Sequence, residues 1–303
     1  EYGGVTQNNT YTTMMAIYNL KAAQKAIDLV KRKDPVRWET LCKQIGFEEK
    51  EIDIWEDIAQ KAVIAYDPET DLYMEDESSF RRLEPLELGE VKQGDAPLYR
   101  SIAFDRLQRY RVLKQADVIQ LMLLLPHLFT REQKQTAWET YEPITAHDSS
   151  LSFGSHAAFA ARLGLADAAY GYFMKSARLD LDDIMENTAL EGIHPASCGV
   201  AWQALVNGFG GVTITPRGLS VNPCMYRGWE SVRYRFMYLG DLFTVRMSGE
   251  GFSIRMEGES TGEDAFLGIY GKPCRLTRGE EKSFAYADPA GSGYDNSGLD
   301  QAV

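Results

Sequence analysis

Apolar residues in the first two thirds of the chain recur at spacings of three and four, the pattern of helices with one buried face. The first such segment covers residues 10–32, where Met14, Ile17 and Leu29 belong to one apolar stripe and Pro35 ends the pattern. Its link to the next segment is short, which is typical of antiparallel helical hairpins. We predict further helices over residues 36–45, 49–64, 101–109, 112–125, 131–140, 153–164, 166–178 and 197–208.

Residues 65–100 differ from the segments on either side because Pro and Gly interrupt short pieces that carry Tyr and Leu. A stretch of this length without a helical pattern is uncommon inside a compact domain and usually has a function. We predict an extended and ordered excursion.

After Gly211 the apolar spacing changes to two, and apolar and polar residues alternate through residues 232–256. This alternation is typical of strands that have one buried face. The sequence therefore predicts a mainly α protein, with a helical domain over residues 1–209 and a small antiparallel β-sandwich domain over 210–287. A Gly-, Ser- and Asp-rich flexible tail is predicted over 288–303.

Composition narrows the possible functions. The chain has 303 residues, 44% of them hydrophobic, and a formal net charge of -12, which disfavours binding to nucleic acids and anionic membranes. The longest apolar run, residues 118–125, is too short to cross a bilayer, and we expect a cytoplasmic protein. The four cysteines form no CxxC pair, and we predict that they are reduced and mostly buried, with no metal site.

Two loops carry the residue types that bind a small anion. The first, residues 141–152, contains His147, Ser149 and Ser150 ahead of a predicted helix. The second, residues 191–197, contains His194 directly before a proline suited to a helix start. Backbone N–H groups at helix starts attract anions, so we predict that the two loops together hold a phosphate. Plain helix capping by Asp148 and Ser149 is the alternative reading.

The first loop also resembles a known family. The stretch His147-Asp148-Ser149-Ser150-Leu151-Ser152 is similar to a motif of the glycoside hydrolase family 65 disaccharide phosphorylases, a group that acts on maltose, trehalose, kojibiose and nigerose. Four further stretches match in the family's order: Glu1-Tyr2 with residues 5–12, residues 114–118 with 123–126, residues 176–182, and Glu191-Gly192-Ile193-His194-Pro195-Ala196-Ser197.

The resemblance implies a fold and a set of roles. The family's catalytic domain is an (α/α)6 barrel, so this chain resembles its second half, and a missing upstream part or a second chain would complete it. Glu1 would be the catalytic acid, and Lys114 and Gln115, predicted here on a helix, would contact the transferred glucose. The family's usual assembly is a homodimer.

The implied reaction is the phosphorolysis of an α-glucoside with inversion, which gives β-glucose 1-phosphate and needs inorganic phosphate but no cofactor. One alternative is an inverting α-glucosidase, which needs a second carboxylate to activate water. Asp148 and Glu191 are the candidates because they are the acids inside the two loops. A non-catalytic scaffold or carbohydrate-binding piece is the third reading.

Overall fold

The computed structural model describes residue 2 and residues 6–77, 83–92, 94–258 and 264–287. Glu1 and the tail at 288–303 lie outside these residues, so the predictions made for them stay predictions. Longer α-helices are α1 (Thr10–Lys33), α2 (Pro35–Ile45), α3 (Lys50–Lys61), α6 (Asp117–Leu124), α7 (Arg131–Tyr141), α8 (Ser152–Leu163), α9 (Ala166–Ala177) and α11 (Pro195–Gln203). Single turns are α4 (Leu88–Val91), α5 (Phe104–Leu107) and α10 (Thr188–Glu191).

Local signals explain where several helices begin and end. Asn9 caps α1 by accepting a hydrogen bond from the backbone of Thr12, and Asp34 caps α2 directly before Pro35. Gly164 follows α8 with a φ of 85°, a left-handed conformation that glycine adopts without strain. The predicted helices at 10–32, 36–45, 131–140, 153–164 and 166–178 are confirmed within one residue or two at each end.

The predicted helix at 112–125 is wrong in its first part. Helix α6 begins only at Asp117, because the backbone upstream of it pairs with the first loop. Leu113 N donates to Ile144 O at 2.8 Å, and Asp148 N donates to Lys114 O at 3.0 Å. Lys114 and Gln115 therefore lie in a bend before α6 and not on a helix. The helix predicted at 101–109 shrinks to the single turn α5.

The helical core forms around α6, α7, α8 and α9. Helix α8 is buried along almost its whole length and packs against α9 and α11. Small residues allow this close approach: a Cβ atom added to Gly154 would lie 2.9 Å from Val200 Cβ and 3.0 Å from Ser176 Oγ. The short pieces of residues 65–100 include strands β1 (Tyr66–Asp67), β2 (Leu72–Tyr73) and β3 (Glu84–Pro85) and a 3-10 turn at Leu98–Arg100; β3 pairs with β4 (Tyr110–Arg111).

Helix α11 continues as a π-helical turn to Phe209, and strands follow from Val212. They form two four-stranded sheets whose buried faces share one hydrophobic core. One sheet contains β5 (Val212–Thr215), β6 (Gly218–Val221), β10 (Ala265–Ile269) and β11 (Lys272–Leu276), and the other contains β7 (Ser231–Tyr238), β8 (Asp241–Ser248), β9 (Gly251–Met256) and β12 (Glu281–Phe284).

The prediction of purely antiparallel pairing is wrong at one place in these sheets. Strands β6 and β10 are parallel, with Ser220 opposite Gly268. Three strands of the other sheet separate β6 from β10 in the chain, and this long connection returns the chain in the same direction.

Two further predictions can be compared with the structure, one on membrane crossing and one on the cysteines. Within the described residues, no helix combines the length and apolar character that a bilayer crossing requires. The four cysteines are unpaired, but the prediction that they are mostly buried is wrong, because Cys198 is exposed and the other three are half-buried.

Candidate functional site

A groove of about 470 Å³ lies where the beginnings of several helices meet. Its wall comprises Tyr11 and Thr12 in the first turn of α1, residues 115–117 and Gln120 around the start of α6, and Leu151, Ser152, Ser155 and His156 at the start of α8. Val200 and Gln203 of α11 close the remaining side. The lining is rich in amide and hydroxyl groups, which form hydrogen bonds with the hydroxyls of a sugar.

The helix starts at this groove favour an anion. The residues directly before α6 and α8, Ala116 and Leu151, form no side-chain cap hydrogen bond. The first N–H groups of a helix have no partner within the helix, and its dipole makes this end positive. Two uncapped helix starts on one groove therefore provide donors and positive potential for a phosphate or a similar oxyanion.

The segment before α6 joins the predicted sugar-binding residues to the predicted phosphate loop. Gln115 lines the groove, and Lys114 directly before it accepts a backbone hydrogen bond from Asp148 N of the first loop. Ala146 N donates to Leu113 O at 2.7 Å, which fixes the register of the two segments. The structure thus brings two distant stretches of the sequence together, as a common site requires.

His147 forms the turn of the first loop, but its imidazole points into a packed cluster. Its φ of 55° is a strained value for a residue with a side chain, and the backbone bonds on either side hold it. Its Nδ1 lies 2.9 Å from Ser152 Oγ, and its ring stacks on Phe153. Burial lowers the pKa of His147 to about 4, so the ring is neutral near pH 7.

Glu142 is the centre of this cluster. Its carboxylate lies 2.6 Å from His156 Nδ1 and accepts a hydrogen bond from Tyr172 OH, and its Oε1 is 3.7 Å from His147 Nε2. Burial alone would raise the pKa of Glu142, but the two imidazoles lower it well below its usual value. Burial and the charge of Glu142 raise the pKa of Tyr172, which stays a proton donor.

Asp148 holds the first loop to residues that are distant in the sequence. Its buried carboxylate accepts hydrogen bonds from Tyr2 OH at 2.6 Å, from Leu98 N at 2.7 Å and from Lys92 Nζ at 2.8 Å. Lys92 also donates to Ala146 O. Asp148 is therefore not the cap of α8, and the excursion that contains Lys92 and Leu98 supports the loop.

Ser149 and Ser150 are half-buried and precede the groove-lining residues Leu151 and Ser152. Ser149 Oγ accepts a long hydrogen bond from Leu151 N at 3.4 Å. This contact is weak, so the hydroxyl has capacity for a stronger partner. Their role in phosphate binding stays a prediction.

His194 lies at the start of α11 and is held by Asp180. Its Nδ1 is 2.6 Å from Asp180 Oδ1, and its backbone N–H donates to Asp180 Oδ2 at 2.8 Å. Hydrogen bonds from His194 lower the pKa of Asp180, although burial opposes them. Across the described part of the chain, no hydrogen bond or ring contact joins His147 to His194. Whether both contact one phosphate stays a prediction.

Several groove residues were not identified as site residues from the sequence: Thr12, Asp117, Gln120, Ser155, His156 and Gln203. Asp117 and Gln120, and likewise Ser152 and Ser155, are three residues apart on apolar helices. Such spacing places a pair on one helix face, and this was the available signal. Burial and the charge of Asp117 raise the pKa of Glu75 well above its usual value.

Among the described residues, Glu142, His147 and His156 place three ligand atoms within 4.8 Å of one another, a spacing that could hold a metal ion. An ion would have to separate Glu142 from both His156 and Tyr172, with which it is in direct hydrogen-bond contact. This arrangement is that of a hydrogen-bonded cluster.

Comparison with known proteins decides the family. The sequence profile of the glycosyl hydrolase family 65 central catalytic domain matches residues 1–203. The chain belongs to glycosyl hydrolase family 65. This confirms the resemblance that the five sequence stretches indicated.

Several members of family 65 that resemble the chain are named as phosphorylases. The α,α-trehalose phosphorylase of Thermoanaerobacter brockii is 32% identical over 93% of this chain and 36% of its own length. The kojibiose phosphorylase of Caldanaerobacter subterraneus subsp. tengcongensis is 33% identical over 86% of the chain and 34% of its own length. The chain thus spans about a third of these relatives.

A solved structure, provisionally named as a kojibiose phosphorylase from the human microbiome, has a similar fold. Its TM-score is 0.81 at 29% sequence identity, over 93% of this chain and 38% of that one. The similarity includes most of both the helical and the strand-rich parts described here.

Proposed function

We propose that the chain forms part of the active site of an inverting α-glucoside phosphorylase, within an (α/α)6 barrel followed by a β-sandwich. The observation that carries the proposal is the groove, where Gln115 and the uncapped starts of α6 and α8 lie beside the serine-bearing loop. The substrates are an α-linked disaccharide and inorganic phosphate, and the products are β-glucose 1-phosphate and the released sugar. Assembly as a homodimer and completion by upstream sequence belong to this proposal.

The proposed chemistry uses one carboxylic acid and one phosphate. Glu1 would protonate the glycosidic oxygen, because a leaving sugar needs a proton as its bond breaks. Gln115, with Lys114 beside it, would bind hydroxyls of the glucose, since an amide both donates and accepts. Phosphate would attack the anomeric carbon from the opposite side, held by Ser149, Ser150, His194 and the helix starts, with His147 shaping the loop.

Asp148 and Glu191, the two acids predicted for hydrolysis, are poorly placed to activate a water. An inverting hydrolase needs a second carboxylate, roughly 6.5–9.5 Å from the acid, that activates a water lying between the two. Asp148 is fully buried in its ion pair with Lys92, and Glu191 is exposed on α10, where it accepts from Asn187. Neither residue lines the groove.

One observation keeps a hydrolase as the second candidate. Asp117 is a carboxylate that does line the groove. If water were the nucleophile, Asp117 would be the residue to activate it. A turnover rate that does not depend on phosphate would favour this candidate.

The test is phosphate-dependent turnover by the full-length protein with kojibiose, trehalose and maltose as separate substrates. We expect sugar phosphate to form only when inorganic phosphate is present. Gln115→Ala should lower kcat/KM for the disaccharide about 100-fold, because a buried hydroxyl loses its partner. Gln135→Ala is the matched control, since Gln135 bonds Glu139 on the surface of α7. Equal rates for the two variants would contradict the proposed site.

A further inference from the structure

His156 has a buried nitrogen atom that the protein leaves without a partner. About 1% of the residue is exposed, and it lines the groove. Its Nδ1 contacts Glu142, whereas its Nε2 has no hydrogen-bond partner among the described residues. Buried polar atoms are nearly always bonded to protein, water or a ligand. Because the residue lines a groove suited to a ligand, the missing partner of Nε2 is expected to belong to that ligand.

Glu142 determines which hydrogen-bonding role Nε2 has. An ionised carboxylate only accepts hydrogen bonds, so the proton of a neutral His156 lies on Nδ1, 2.6 Å from Glu142 Oε2. Nε2 then carries a lone pair and acts as an acceptor. A carboxylate that holds a histidine in one tautomer and stabilises its charged form is a known arrangement in proton transfer.

We propose that His156 Nε2 accepts a hydrogen bond, and then the proton, from phosphate monoanion bound in the groove. The inference rests on phosphorolysis, the proposed function, and adds a catalytic residue to it. The uncapped starts of α6 and α8 supply donors for the unprotonated oxygens of the anion. His156 supplies an acceptor for one of its two hydroxyl groups, and the other keeps its proton.

The step balances in atoms and protons. The O–H bond of the phosphate monoanion breaks, its proton moves to Nε2, and the electron pair left on the oxygen attacks the anomeric carbon. The bond from that carbon to the glycosidic oxygen breaks, and the departing oxygen takes a proton from the catalytic acid. When His156 releases its proton and the acid regains one, the reaction has consumed no net proton.

The charges around the ring favour this transfer. Glu142 contacts the ring from the end of α7 and would neutralise the imidazolium that forms. Tyr172 of α9 and the neutral His147 of the first loop pack against the ring without adding charge. Asp117 of α6, on the same groove, is a further acidic group.

Sulfate provides the first test, on the unaltered full-length protein. Sulfate has the size of phosphate but no proton to donate near neutral pH, so an acceptor in the site should reject it. At pH 7.5 we expect sulfate to bind at least 10-fold more weakly than phosphate when it competes in the phosphorolysis assay. The difference between the two affinities should narrow at acidic pH, where the imidazole of His156 carries a proton. Sulfate that competes as well as phosphate near neutral pH would overturn the proposal.

The second test replaces the ring. His156→Asn keeps a donor near the position of Nδ1 but has no Nε2, and we expect kcat/KM for phosphate to fall about 100-fold at pH 6. The loss should shrink at pH 8, where the solution already supplies phosphate dianion. His127→Asn is the control, because His127 also has an unpartnered buried Nδ1 but does not line the groove. A loss that is equal at both pH values indicates a structural role and overturns the proposal.

The experiments distinguish a failure of the proposed function from a failure of the role of His156. If the unaltered protein forms no sugar phosphate, the proposed function is wrong. If it forms sugar phosphate but does not discriminate against sulfate, only the role of His156 is wrong. Thermal unfolding of His156→Asn shows whether the variant folds. If the variant does not fold, the sulfate comparison on the unaltered protein decides the role of His156.

Discussion

The close approach of α8 to α11, which together form two sides of the groove, depends on the missing side chain of Gly154. A methyl group there would overlap Val200 Cγ1 and lie 3.0 Å from Ser176 Oγ. Overpacking of a core by a methyl group costs about 1–3 kcal/mol, while replacing Gly by Ala in a helix gains up to about 1 kcal/mol. Gly154→Ala should therefore lower the free energy of unfolding by about 1–2 kcal/mol.

Gly171→Ala is the matched control for this prediction. Gly171 lies inside α9, is exposed, and an added Cβ would meet nothing within 4 Å, so only the propensity gain of about 0.5–1 kcal/mol applies. Urea unfolding followed by circular dichroism gives both values. The two variants should differ by about 1.5–3 kcal/mol with opposite signs. If Gly154→Ala is as stable as Gly171→Ala, the packing of α8 on α11 described here is wrong.

Three further predictions concern single side chains. Asp148→Ala leaves the mostly buried Lys92 without its ionic partner and should cost about 3–5 kcal/mol of unfolding free energy. Asp167→Ala breaks the exposed pair of Asp167 with Arg227 and should cost under about 1 kcal/mol, so equal urea midpoints for the two variants would contradict this prediction. Asp180→Ala frees the ring of His194 and should lower kcat/KM for phosphate about 10–100-fold with little change in Tm, so unchanged kinetics would remove Asp180 from the site. Burial lowers the pKa of Lys134 to about 7 from its usual 10.5, so between these values the unfolded chain binds more protons and stability rises with pH. The rise in unfolding free energy is on the order of a few kcal/mol between pH 7 and 9, and Lys134→Met should flatten it. Urea unfolding at several pH values measures the effect. An unchanged dependence of the unfolding free energy on pH in the variant would refute the prediction.

Most helices were predictable because their signals are local. The apolar stripe of α1, the proline at the start of α2 and the glycine after α8 each act within a few residues. The pairing of Leu113 with residues 144–146 and of β6 with β10 depends on partners more than 30 residues away in the chain. A pattern that reports only local periodicity carries no information on such partners.

The candidate site was predictable to the extent that its motifs resemble those of a family. Gln115, predicted on a helix, lines the groove from a bend before α6, and its contact with glucose stays a prediction. His156 was not identified, because a histidine within the small-residue pattern of α8 is indistinguishable from a core residue until its neighbours are known. Three observations from the fold identify it: its Nδ1 contacts Glu142, its Nε2 has no hydrogen-bond partner among the described residues, and the ring lines the groove.

The most direct test of the central claim is the NMR spectrum of the full-length protein acting on kojibiose, trehalose or maltose in phosphate buffer. We predict that the first sugar phosphate to form is β-glucose 1-phosphate, that phosphate and disaccharide disappear in equal amounts, and that no reaction occurs without phosphate. Free glucose released at the same rate with and without phosphate would contradict the claim.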